Sequence, residues 1–229
     1  GSAGGIAFVG GAGDFDYGGA IRHPGDLSAQ LAGALDNVEA ALNVEGCSLA
    51  DAVRIKLFYS ADAGMDAWQV IAAIQARVGA QLAPAITANP VPMQPFAGQL
   101  VQIQAIAIAG WRDGDDVRVV EDDVPQAARG HFTHPKVTRG LRAGEFFSIP
   151  GRTAADGDDR IEGDGIAQTH VIMKRLTETA AALGCTLQDA IKKEGYYFGT
   201  DMEQWASMAS VRASYFREPA AVATVVPAH

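Results

Sequence analysis

The chain has 229 residues, 48% of them hydrophobic and 20% charged, with a net charge of −9. That length suits one large or two ordinary domains. The 27 acids against 18 Lys and Arg speak against a nucleic-acid surface, which works by basic side chains releasing condensed counterions. No apolar run reaches the roughly 20 residues of a membrane helix, and no basic, apolar, small-residue leader opens the sequence, so cytoplasmic residence without membrane contact is expected.

In chain order, residues 6–9 form a short apolar strand running into Gly10, Gly11, Ala12 and Gly13. Leu27, Leu31, Ala34, Leu35, Val38, Ala41 and Leu42 fall at three- and four-residue steps, the pattern of one amphipathic helix, which Gly46 ends. Residues 51–60 alternate, with Val53, Ile55 and Leu57 on one face and Arg54, Lys56 and Phe58 on the other; this is a half-buried strand. Helical period returns over 66–78, and a proline-punctuated stretch, Pro84 to Pro95, leads to a β-rich run at 100–109. Residues 113–130 are acidic and rich in turn formers, a linker in which Val117 to Val120 would add one strand. A strand at 146–149, a helix at 165–183, a strand at 189–198, a helix at 202–216 and an extended 220–226 complete the series.

The second series repeats the first. Gly46-Cys47-Ser48-Leu49-Ala50-Asp51-Ala52-Val53 returns 138 residues later as Gly184-Cys185-Thr186-Leu187-Gln188-Asp189-Ala190-Ile191. Trp68 recurs as Trp205, Arg77 as Tyr215 and Pro84 as Pro219. Two copies of this size mean two similar domains in tandem: residues 1–112, a linker at 113–130, and residues 131–229. Each is an α+β unit, a mixed sheet with two helices on one face. The second copy has no counterpart of the strand at 100–109, so its last strand is expected to be missing. Cys47 and Cys185 hold equivalent places, and a shared packing role fits them better than a bridge.

These motifs, with Leu100-Val101-Gln102-Ile103-Gln104-Ala105-Ile106-Ala107, look like the YjgF/RidA family, whose corresponding ending has glutamates where Gln102 and Gln104 stand. The resemblance implies a chorismate-mutase-like fold, homo-oligomers (trimers, or pseudo-trimers of domains), clefts between neighbouring domains as ligand sites, no cofactor, and hydrolysis of 2-imino or enamine acids to 2-keto acids and ammonia. In the family an arginine following Pro-x clamps the substrate carboxylate through two parallel hydrogen bonds. Here Ile86 stands in that place in the first copy, and Ala221 or Ala223 in the second. The chain therefore resembles arginine-lacking branches, and a standard 2-imino acid deaminase is not expected.

The candidate site follows from where the copies differ. Glu194 and Lys56 hold equivalent strand positions; they either form structural ion pairs or line a cleft, with Glu194 the candidate catalytic acid or base and Lys56 a candidate substrate-binding residue. Arg152, beside Gly151 at the mouth of the second copy's first strand, is the candidate anion anchor. Thr224 and Asn89 would hydrogen-bond a small-molecule substrate without charge, and Tyr196 would stack on it. No metal site is expected, since His131 and His134 have no second ligand pair. Gly11 to Asp16 lacks the last glycine of a dinucleotide fingerprint, and no nucleophile elbow appears. Two functions stay open: an enzyme acting on an imine, enamine or related C–N group (hydrolase, deaminase or tautomerase), and a non-catalytic metabolite-binding or scaffolding protein of the same fold.

Overall fold

A computed structural model describes residues 1–79, 83–155, 160–199 and 201–228. The chain divides into two compact units, Gly1–Pro150 and Gly151–His229. The first opens with β1 (Ser2–Ala3), β2 (Ile6–Ala12) and α1 (Leu27–Val44), and continues through a 3-10 turn to β3 (Ala52–Ser60), α2 (Ala67–Val78), β4 (Ala85–Val91) and β5 (Val101–Ile108). These strands form one mixed sheet in the order β1-β2-β5-β3-β4, with β3 parallel to β4 and antiparallel to β5. The parallel pair requires a crossover, which α2 supplies.

Local chemistry sets these elements. Asp26 caps α1 by accepting from the Ala29 N–H, and Asp66 with Gln69 closes a capping box on α2; each cap satisfies backbone donors that the first turn leaves over. Leu27, Leu31, Leu35, Val38 and Leu42 on α1 bury against Ile55 and Leu57 of β3 and Val101 and Ile103 of β5. Each such side chain contributes about 1.5–3 kcal/mol of burial. Val53 does not share their face as the alternation predicts. A register shift between Ala52 and Arg54 turns Ala52 to the helices and Val53 to the opposite side, where it packs with Trp111, Leu141 and Ala143. Such an inserted residue reverses strand parity locally.

That second cluster is made by β6 (Val117–Asp123), β7 (Lys136–Ala143) and β8 (Phe146–Ser148), a three-stranded antiparallel sheet in the order β6-β7-β8. Val117, Val119 and Phe146 pack there with Ile106 and Ile108 of β5. The acidic stretch 113–130 thus carries a paired strand.

In the second unit, α3 (Gly165–Ala182), a 3-10 turn, β9 (Lys192–Phe198), α4 (Met202–Ser214) and β10 (Val222–Ala228) follow in the same order as α1 to β4, and β9 pairs parallel with β10. α1 and α3 are both 18 residues long. The turns after them carry the same capping box, Ser48 with Asp51 and Thr186 with Asp189. Cys47 N–H donates to the Leu42 carbonyl and Cys185 N–H to the Ala180 carbonyl at 3.0 and 2.8 Å. Both thiols are free, and burial, followed by the nearby Asp51 charge, pushes Cys47 above its ordinary value. No helix among the described residues is long and apolar enough to cross a membrane.

The loop between β2 and α1 is held by buried polar groups. Asp14, 1% exposed, accepts from Arg22 Nε at 2.8 Å and His23 N at 3.0 Å, with His23 Nδ1 at 2.8 Å from its other oxygen. Arg22 also donates to the Gly33 carbonyl, and Asn37 Nδ2 donates to the carbonyls of Gly13 and Phe15. A β-carbon on Gly33 would overlap Asp14 Oδ1. Alanine ordinarily gains about 1 kcal/mol over glycine inside a helix. Gly33→Ala is instead expected to lower stability by about 2 kcal/mol in denaturant unfolding, because it drives the buried Asp14 carboxylate away from its Arg22 partner.

Asp51 ties the turn before β3 to the end of β5, accepting from Ser48 and from the Gly110 N–H at 2.8 and 2.9 Å. Burial pushes its carboxyl upward, but these hydrogen bonds and the Arg112 charge outweigh burial and hold it below 3.8. A carboxyl lowered in the folded state contributes stability above its unfolded value and loses it as pH falls through the folded one. Asp51→Asn should cost about 1–2 kcal/mol at neutral pH and show a smaller stability loss than the parent chain when acidified below 3.8.

Candidate functional site

Parallel pairing decides which site candidates meet. In the first unit Lys56 stands across from Thr87, and Phe58 from Asn89. On the other side of β3 the same rows continue to Gln104 and Gln102. Side chains of period two place these residues on the sheet face away from the helices. Lys56 is more enclosed than a half-buried strand predicts: it is 4% exposed, flanked on both edges, with its ammonium 4.6 Å from the Phe58 ring centroid. Asn89 turns its amide to the Leu57 carbonyl at 3.3 Å. Gln102 lies over Gly11, where any β-carbon would overlap its amide.

In the second unit the corresponding row is Glu194 across from Thr224, with Tyr196 across from Val226. Thr87 and Thr224 therefore occupy one register position, and by the same pairing Ala223 corresponds to Ile86. The Glu194 carboxylate is 13% exposed, and Lys192 Nζ stands 2.9 Å from its Oε1. The two side chains leave the strand on the same face. Thr224 is exposed and Tyr196 is 37% exposed. Arg152 is half-buried in a segment gripped from α3: Arg175 Nη1 donates to the carbonyls of Thr153 and Ala155 at 2.8 and 2.6 Å. Glu194, Thr224 and Tyr196 share one strand pair, while Lys56 and Asn89 share the matching pair of the first unit. Among the described residues no cluster of His, Cys, Asp and Glu is placed to hold a metal ion.

A second group in this unit was missed in the sequence. Lys193 leaves β9 on the other face, at the place of Ile55. Its Nζ lies 3.8 Å from the Phe216 ring centroid. Burial, then the charge of Arg212 in the last turn of α4, pull its ammonium below the ordinary 10.5, opposed by Glu218. The signal was legible: at the repeat spacing of 138, Ile55 and Leu57 become Lys193 and Gly195, which breaks the apolar parity of the strand.

Residues 126–228 match the family model described as Endoribonuclease L-PSP, the YjgF/RidA family, and this segment of the chain belongs to it. Among solved structures, the chain is similar to a protein of unknown function of the conserved Rid family, YyfB from Yersinia pestis: 25% identity over 46% of this chain and 79% of that one, TM-score 0.40. It is also similar to a putative endoribonuclease from Thermotoga maritima, at 27% identity over 47% and 81% of the two chains, TM-score 0.41. The YjgF gene product of E. coli gives 27% identity over 47% and 84%, TM-score 0.40. No curated protein matches the chain.

Arg175 is the support of the Arg152 segment. Arg175→Ala removes two charge-assisted hydrogen bonds, worth about 1.5–3 kcal/mol for such groups. Amide exchange over residues 151–155 should then rise by tenfold or more, with β9 unchanged. Unaltered exchange there would show that the loop is held by something else.

Proposed function

We propose that this chain, with its YjgF/RidA segment, is a small-molecule enzyme that hydrolyses or tautomerises an imine, enamine or related C–N group. In this reading residues 1–112 and 131–229 are tandem RidA-like domains. The support is the recurrence of helix, 3-10 turn, strand, helix and parallel strand in both units, with the turns at the spacing of the sequence repeat. Assembly into trimers, or pseudo-trimers of domains, belongs to the same proposal.

The observation that carries the proposal is the cross-strand pair of Glu194 and Thr224, a largely buried carboxylate beside a hydroxyl. Addition of water to a C=N carbon needs a positioned water and a group that takes and returns a proton. Glu194 would serve as that acid and base, Thr224 would hold the substrate through a neutral hydrogen bond, and Arg152 would bind its anionic end. Tyr196 would stack on the substrate, and Lys56 and Asn89 would line the matching position of the first unit. A simple carboxylate-clamped imino acid fits poorly, because neither Ile86 nor Ala223 can form the clamp. The net charge of −9 likewise disfavours RNA as the substrate.

The Lys192–Glu194 contact of 2.9 Å favours a second reading. An ammonium already occupies one carboxylate oxygen, as it would in a structural ion pair, and the protein would then bind a metabolite without turning it over.

Ammonia release from enzymatically generated imino acids and aminomuconate-type enamines separates the two. Glu194→Gln should lower turnover by about 10²–10⁴-fold, the usual contribution of a positioned proton-transfer group, and Arg152→Ala should raise KM. Turnover unchanged in Glu194→Gln, or KM unchanged in Arg152→Ala, contradicts the role of that residue. Absence of ammonia from every substrate favours the binding protein.

A further inference from the structure

We infer that the groove between α3 and α4 is a binding site for a free α-amino acid with an aromatic side chain. It lies on the helix layer and does not use the strand face that carries Glu194.

The groove is built where the two copies of the repeat diverge. In the first unit Asp36 of α1 bonds Arg77 of α2 at 3.1 Å, which ties the two helices across their surface. At the repeat spacing of 138, Asp36 becomes Lys174, Ala32 becomes His170 and Ala40 becomes Glu178. The charge reversal at Lys174 removes the acid from that tie. In its place His170 sets Nδ1 3.1 Å from the hydroxyl of Tyr215, the C-cap of α4. His170, Val171, Lys174, Thr177, Glu178 and Tyr215 line an open cavity of about 360 Å³, a size that suits a small molecule.

The α4 wall of this cavity is held in position. Gln188, which stands where the first copy has Ala50, donates to the Tyr215 carbonyl at 3.0 Å and accepts from the Arg217 N–H at 2.7 Å. The His170 and Tyr215 rings then lie 6.1 Å apart between centroids, tilted by 57°. Val171, 39% exposed, extends this wall with apolar surface.

The charges select the ligand. Lys174 Nζ and Glu178 Oε1 are 4.0 Å apart on consecutive turns, and both side chains are exposed. At that separation the two ions barely engage each other, so each can take a partner. An ammonium and a carboxylate one turn apart match the carboxylate and ammonium of a zwitterion. A ligand of one sign would gain one such contact and meet one like charge. An aromatic side chain on that zwitterion can lie edge to face on the His170 and Tyr215 rings, and the imidazole and hydroxyl offer it hydrogen bonds. Exposed ion pairs contribute little each, so the site binds weakly and reversibly.

The test is an NMR titration of the whole protein with L-phenylalanine. Saturable shifts of the His170 and Tyr215 ring signals, half-complete at about 1–10 mM, are expected. Phenethylamine lacks the carboxylate and 3-phenylpropanoate lacks the ammonium, and each should bind about fivefold more weakly. Lys174→Gln and Glu178→Gln alter exposed side chains, so the fold should be retained by circular dichroism while phenylalanine binding weakens about fivefold. Shifts that stay linear through that range overturn the inference. Equal binding of phenylalanine and its two analogues overturns the zwitterion assignment, and unchanged binding in both variants overturns the site. Neither ammonia release nor Glu194 enters the test, so its failure and failure of the proposed chemistry are separate results.

Discussion

In each unit, the strand after the first helix runs parallel to the strand after the second, and that single register decides which side chains meet. Because strand side chains alternate with period two, a one-residue slip would exchange core and polar face. The 3-10 turns fix the entry: Ser48 with Asp51, and Thr186 with Asp189, close the same box at the spacing of the repeat. From there Lys56 meets Thr87 and Glu194 meets Thr224. On the other face Ile55 enters a hydrophobic core and Lys193 does not.

Conserving the scaffold does not require conserving the residues that brace it. Asn37 and Arg175 sit at one helical position, 138 residues apart, and each donates to two carbonyls of the loop that its helix covers. The first unit adds the buried Asp14 with Arg22 and His23; at the corresponding point of the second loop stands Ala154, a buried apolar side chain. The first unit thus spends its polar contacts on rigidity. The second carries its charges on the strand itself, where a substrate could reach them, and there the proposed catalytic group lies.

Periodicity made most of the elements legible. The helices, β3, β5 and the repeat could be read because apolar spacing and glycine stops are local signals. Val53 could not, since a bulge depends on how β3 meets β5 rather than on β3 alone. The pairing of β6 with β7 was hidden for the same reason: its partner lies beyond a turn-rich stretch, and only the valines at 117, 119 and 120 hinted at a strand. Asp14, Arg22 and His23 form their cluster through a loop without period. Lys193 was legible in principle, since the repeat alignment places it on Ile55. The charge pattern alone points to the opposite face, where Lys192 and Glu194 pair. The absence of the family arginine from both copies was evident from the sequence.

The claim on which this picture turns is that β9 and β10 pair in parallel with Glu194 across from Thr224. The direct measurement is the pattern of interstrand nuclear Overhauser effects between β9 and β10. Contacts that tie Glu194 to Thr224 and Tyr196 to Val226 are expected. A pattern displaced by one residue, with Glu194 across from Ala223 or Val225, would exchange the two faces of the strand and contradict the account.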